Sequence, residues 1–237
     1  QKIKEHMVHV GLKPANGDGA AKLIGDVISE KEIWAGTTCM AGMNCCAVWN
    51  EQVPLIVPLR RHLVSEGQVE RTVQDMLGNL QRYGNSFGKS DRMRAKWTQT
   101  SGLKIKDARK EPVEHLWFVG DYASYDPRCE DITKKTAKIF AQAGLDFGLL
   151  YEAERNAGND VRRVGEEGLY EMLRDKNQQA FAKAQFKKIV TTDPHTYHTL
   201  KNEYPWNGNR PEVQHYTEVL DALIQASKLP LKKKLAG

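Results

Sequence analysis

From residue 113 onward, short apolar runs alternate with longer stretches of helical periodicity, and this alternation limits the chain more than any other feature. "VEHLWFVGD" (113–121), "LDFGLLY" (145–151), "KKIVTTD" (187–193) and "EVQHYT" (212–217) read as strands. Each is short, and the first three are apolar in Val, Ile, Phe or Leu. Between them lie "RCEDITKKTAKIFAQAG", with apolar Ile132, Ala137, Ile139 and Phe140, then "VGEEGLYEMLRDKNQQAFAKAQ" in two helical pieces, and "HTYHTLKNEYP". "EVLDALIQASK" supplies a last helix. Strands joined by helices must cross over, so the segment is expected to form a parallel sheet covered on both faces.

The preceding residues lack this rhythm. Gly17 and Gly19 suggest a loop, and Ser29 with Glu32 fits a capping box that opens a short helix. "QVPLIVPLRRHLVSEG" reads as a helix with Pro54 in its first turn, a kink at Pro58 and an end at Gly67. "VERTVQDMLGNLQRYG" reads as a second helix, interrupted or weakened at Gly78, and residues 85–107 as an irregular, basic linker. The expectation is thus an α/β chain with a helical region over 1–110 and a parallel-sheet module over 111–237.

Composition narrows the function classes. The chain of 237 residues carries 35 Lys and Arg against 30 Asp and Glu, a mild net charge of +5. Lys232, Lys233 and Lys234 read as a solvated tail, and no basic stripe interleaves with aromatics, which argues against a nucleic-acid partner. No apolar run reaches the length of a transmembrane span. The four cysteines, Cys39, Cys45, Cys46 and Cys129, are not spaced like a secreted disulfide framework and suggest a reducing, cytoplasmic compartment.

Three of those thiols fall within "TTCMAGMNCC" (37–46). A four-cysteine iron–sulfur loop needs the spacing C-x2-C-x2-C-x3-C. Here that frame holds Gly36, Cys39, Gly42 and Cys46, followed by Ala47. On chemistry alone three readings stand: an iron–sulfur or zinc site completed by Cys45 or a distant ligand, an inert loop, or redox thiols. Met40 and Met43 read as apolar lining rather than soft-metal ligands.

The wider stretch "EIWAGTTCMAGMNCCAVWNEQVPLIVPLRRHLV" resembles the second half of the twin-cubane ferredoxin domain in the heterodisulfide-reductase-like iron–sulfur proteins, a family that includes flavoprotein:quinone oxidoreductases and the iron–sulfur subunits of glycolate and lactate oxidation. Gly36 and Gly42 stand at cysteine positions of that pattern and Ala47 at its proline. The later module is similar to the family's cysteine-rich CCG module. There "WFVGDYASYD" puts Asp121 at the first cysteine position, "AERNAGNDVRRVGEEG" puts Asn156 and Ala157 at the cysteine pair with Gly158 kept, and "VTTDPHTYHTLKNEYP" puts Asp193 and Thr196 at the last pair.

The resemblance implies an electron-transfer subunit of an oxidoreductase. It implies a 4Fe-4S cluster near Cys39 and Cys46 as metal ligands, and a cofactor site at Gly36, Gly42, Asp121, Asn156, Ala157, Gly158, Asp193 and Thr196. It also implies a flavoprotein or a membrane-bound quinone-reactive partner, which would hold the chain at the inner membrane. Because thiols are missing at most ligand positions, cluster binding is expected to be impaired, and a chain without any cofactor is a serious alternative. That alternative is a cluster-free scaffold on the same fold; a further one is a weak divalent-ion site built from Asp121, Asp193, His195 and His198. Asp193 followed by Pro194 also reads as an ordinary helix cap, Arg162 and Arg163 as surface or anion-anchoring charge, and His215 as a residue near the end of the fourth strand.

Overall fold

A computed structural model describes Glu5, residues 22–206, Gly208 and residues 210–229. The loop expected around Gly17 and Gly19 and the tail at Lys232–Lys234 lie outside these residues. The chain divides into two compact units, one of residues 1–69 with 162–167, the other of residues 70–161 with 168–237.

In the first unit, helix α1 (Glu30–Ala35) opens with the expected capping box: the Ser29 side chain accepts from the Glu32 N–H, and Glu32 accepts from the Ser29 N–H at 2.8 Å. Each satisfies a donor that the first helical turn leaves unpaired. Helix α2 (Ala41–Asn44) is one turn, and α3 (Val53–Ser65) carries Pro54 in its first turn and runs through Pro58. Arg60 of α3 is buried, and its guanidinium donates to the carbonyls of Ile33, Gly36 and Arg163. A charge taken out of water is tolerated there because three carbonyls replace its hydration.

The second unit is built on five parallel strands in the order β1-β3-β2-β4-β5. They are β1 (Lys106–Asp107), β2 (Val113–Phe118), β3 (Phe147–Leu149), β4 (Phe186–Thr191) and β5 (Glu212–His215). β2 is central, with Leu116 facing Gly148 of β3 on one side and Ile189 of β4 on the other. The helices that follow in the chain are α4 (Arg71–Tyr83), α5 (Asp121–Tyr125), α6 (Pro127–Gln142), α7 (Asn159–Val164), α8 (Glu167–Ala182), α9 (Pro194–Asn202) and α10 (Tyr216–Gln225).

Period-two alternation sends successive β2 side chains to opposite faces. Leu116 and Phe118 join Leu80, Tyr170, Leu173, Ile189 and Leu200 in one apolar cluster; Trp117 and Val119 join Ala137, Phe140, Val190 and Leu223 in the other. Both faces are therefore dry, as a parallel sheet requires.

Two expectations need correction. Residues 85–107 are not irregular throughout: they form two 3₁₀ turns and then β1, which extends the sheet beside β3, so the sheet has five strands rather than four. Trp97 is buried there, with its ring edge-on to Trp117 at 5.6 Å. Helix α4 also runs unbroken through Gly78, so the interruption expected there is absent.

Candidate functional site

The chain passes from β2 to β3 on one side and then across to β4 on the other. Open α/β sheets bind ligands at such a switch, beyond the carboxyl ends of the strands. Here a cavity of about 300 Å³ opens at that point. Asp121 lines it after β2, Asn156 and Ala157 after β3, and Asp193 and Thr196 after β4. Five of the positions singled out from the module thus meet around one crevice. Gly158 does not line it. With a backbone φ of +88°, Gly158 lies against the Tyr170 ring, which an added Cβ would meet at 2.6 Å. The left-handed turn and the close ring explain that glycine without a ligand.

The side chains at these positions are engaged with one another. One oxygen of buried Asp121 accepts from Arg94 Nη2 at 2.7 Å. The other accepts from Asn156 Nδ2 at 2.8 Å, the Ser86 N–H at 3.0 Å and the Ser86 hydroxyl at 3.3 Å. Arg94, also buried, uses its Nη1 on Glu154 at 2.8 Å and lies over the Tyr125 ring. Glu154 in turn accepts from the N–H groups of Val119 at 3.0 Å and Gly120 at 2.9 Å. Burial works to lower the Arg94 pKa, but the charges of Asp121 and Glu154 outweigh it and hold it raised. Burial lifts the Glu154 carboxyl above its usual range, against the pull of Arg94 and the two N–H groups.

Asp193 caps α9, accepting from the N–H groups of Thr196 at 2.9 Å and His195 at 3.3 Å and from the Thr196 hydroxyl at 2.6 Å. Of the donors in the divalent-ion reading, Asp121 and Asp193 make the bonds above, His198 meets Asn202 at 3.0 Å and Glu203 at 3.4 Å, and exposed His195 lines the cavity. The His215 ring contacts the Thr217 hydroxyl at 2.7 Å and the Thr192 carbonyl at 3.3 Å. Cys129 does line the cavity, a thiol to which no sequence pattern assigns a place. So does Asp160, whose carboxyl is lifted by burial and by Asp193, with His195 opposing.

In the first unit, Cys39 and Cys45 are exposed and Cys46 is half-buried. A hydrogen bond with the Thr37 side chain, and then one at the Ala41 backbone, lower the Cys39 thiol. Thr38, Met40 and Trp49 have φ of 53°, 62° and 53°, a left-handed conformation that costs non-glycine residues energy. A Cβ at Gly36 would meet only ordinary contacts, at 3.5 Å to Ile56 and 3.7 Å to Arg60. At Gly42 it would meet the Gln52 amide oxygen at 2.5 Å, the far end of a flexible side chain. Arg61 and Arg162 both pair with Glu167, at 2.9 and 3.5 Å.

A cubane takes four thiolates. The loop has three thiols, two of them in frame, and the crevice has one. Among the described residues, no three His, Cys, Asp or Glu side chains form a group fit to hold a metal. The residues present do not match the cluster's donor requirement.

The chain is similar to several known proteins. It is 42% identical over 87% of its length to the "Probable iron-sulfur-binding oxidoreductase FadF" of Bacillus subtilis, covering 30% of that protein. It is 35% identical over 90% of its length to the "EtfAB:quinone oxidoreductase" of Syntrophomonas wolfei, covering 30% of it. With one subunit of the dihydromethanophenazine:CoB--CoM heterodisulfide reductase of Methanosarcina barkeri it shares 25% identity over 84% of its length and 47% of the relative's. The chain therefore spans less than half the length of each. No protein-family model and no solved structure matches it.

Proposed function

We propose that this chain, a member of the heterodisulfide-reductase-like family of iron–sulfur oxidoreductases, serves as part of an electron-transfer subunit in which the strand-end crevice is held by a polar network rather than by a thiolate-bound cluster. The observation that carries the reading is the convergence of Asp121, Asn156, Ala157 and Asp193 on one cavity, with their polar atoms bonded to Arg94, Ser86 and the start of α9. The module's framework is kept, and hydrogen bonds tie together the turns that metal ligation would otherwise hold.

In this proposal the crevice contributes rigidity, and any cluster belongs to the loop at Cys39 and Cys46. The names of two relatives, an EtfAB:quinone oxidoreductase and a heterodisulfide reductase, support a redox neighbour, either a flavoprotein or a quinone-reactive partner. Among the described residues no helix is long and apolar enough to cross a membrane. In this proposal inner-membrane attachment runs through that partner.

Anaerobic reconstitution with iron and sulfide, read by metal analysis and electron paramagnetic resonance, tests the loop. The wild-type chain should hold less than one cubane, and the Gly36→Cys/Gly42→Cys variant should gain a full one, since both positions accept a Cβ once Gln52 swings aside. A stoichiometric cubane in the wild type would overturn the reading.

A further inference from the structure

We propose that the strand-end cavity binds a small organic ammonium ion, with the Asp160 carboxylate as its counter-ion. At about 300 Å³ the cavity is at the small end of the ~300–1,000 Å³ range of ligand pockets. Ile132, Ala157, Pro194 and Tyr216 give it an apolar wall suited to a short hydrocarbon stem.

The charges around it select the sign of the ligand. Three carboxylates line the cavity, with His195 the one base beside them and no lysine or arginine. Asp121 is saturated by Arg94, Asn156 and Ser86, and Asp193 by the first N–H groups of α9. Asp160 makes no hydrogen bond among the described residues, and exposed His195 is the one base of the cavity whose charge acts on it. Crevices of this kind ordinarily favour anions, because helix N-termini point their N–H groups into them. Here Asp193 already occupies those of α9. An anion would meet the unbonded Asp160 carboxylate, and a neutral ligand would bring it no charge to pair with. A cation supplies the missing partner, and the Tyr216 ring offers a second favourable surface for it. A carboxylate that burial disfavours in its charged form gains most from such a partner.

The inference rests on the cluster-free crevice proposed above, and the assay separates the two. Calorimetric titration of the full chain uses n-butylammonium chloride, sodium butyrate and n-butanol as probes, with iron and sulfide measured on the same sample. The ammonium should bind, the other two should not, and Asp160→Asn should weaken ammonium binding roughly tenfold or more while melting as cooperatively as the wild type. Methyl NMR of the unsubstituted chain gives an independent reading: Ile132 and Ala157 should shift on ammonium addition. Equal binding by Asp160→Asn, binding of butyrate, no ammonium binding to iron-free protein, or shifts confined to other methyls would overturn the inference. A cluster found in the crevice would instead overturn the reading beneath it.

Discussion

Arg94 illustrates what a single residue does for this crevice. Its fork joins two buried carboxylates, and a buried ion pair broken from one side costs roughly 3–5 kcal/mol because the remaining charges stay unpaired. Arg94→Met should therefore lower unfolding stability by about that amount in urea. Arg94→Lys should recover only part of it, since a point charge does not span both Asp121 and Glu154 as the guanidinium does. Asp193→Ala should cost about 1 kcal/mol, the value of a helix N-cap, with no change in bound metal; a drop in bound metal would speak for ligation instead. The Asp193 cap was legible, since Asp before Pro is a local signal. Arg94 was not: "DRMRAK" offers no periodicity that separates it from exposed Arg92, and its partners lie 27 and 60 residues away. The buried Trp97 nearby was the only available hint that this segment packs inward.

At the scale of elements, the alternating strands and helices after residue 113 could be read directly because both faces of the sheet demand apolar side chains. Leu116 and Trp117, adjacent in sequence, enter different clusters. β1 escaped because two residues cannot carry a periodic signal, and the 3₁₀ turns before it follow no amphipathic pattern. Ile132 misled in the opposite direction: helical spacing suggested burial, yet it is 61% exposed at the cavity wall. If residues 85–107 form part of the core, Trp97→Ala should cost about 3–5 kcal/mol in urea unfolding. A change within about 0.5 kcal/mol would instead fit a solvated linker.

For the whole molecule, the ionised surface around the sheet sets the acid limit. The hydrogen bond from Arg128 holds the Asp126 carboxyl down to about 2, and the one from Lys106 lowers Asp146. Both folded values lie below the unfolded value of about 4. Their stabilisation is therefore complete above that pH and lost as pH falls through the folded values. Glu154 and Asp160 have the opposite sign: their raised folded values favour the protonated form, a contribution present at low pH and lost as pH rises through them. Thermal midpoints should accordingly drop between about pH 4 and pH 2, and Asp126→Asn should flatten that drop.

The crevice itself is tested most directly by iron and acid-labile sulfide per chain in the Cys39→Ser/Cys46→Ser variant after anaerobic reconstitution. With the loop thiols removed, the account predicts no stoichiometric cluster, because Asp121, Asn156 and Asp193 are spent on Arg94, Ser86 and the α9 cap. A full complement of iron and sulfide remaining on that variant would contradict it.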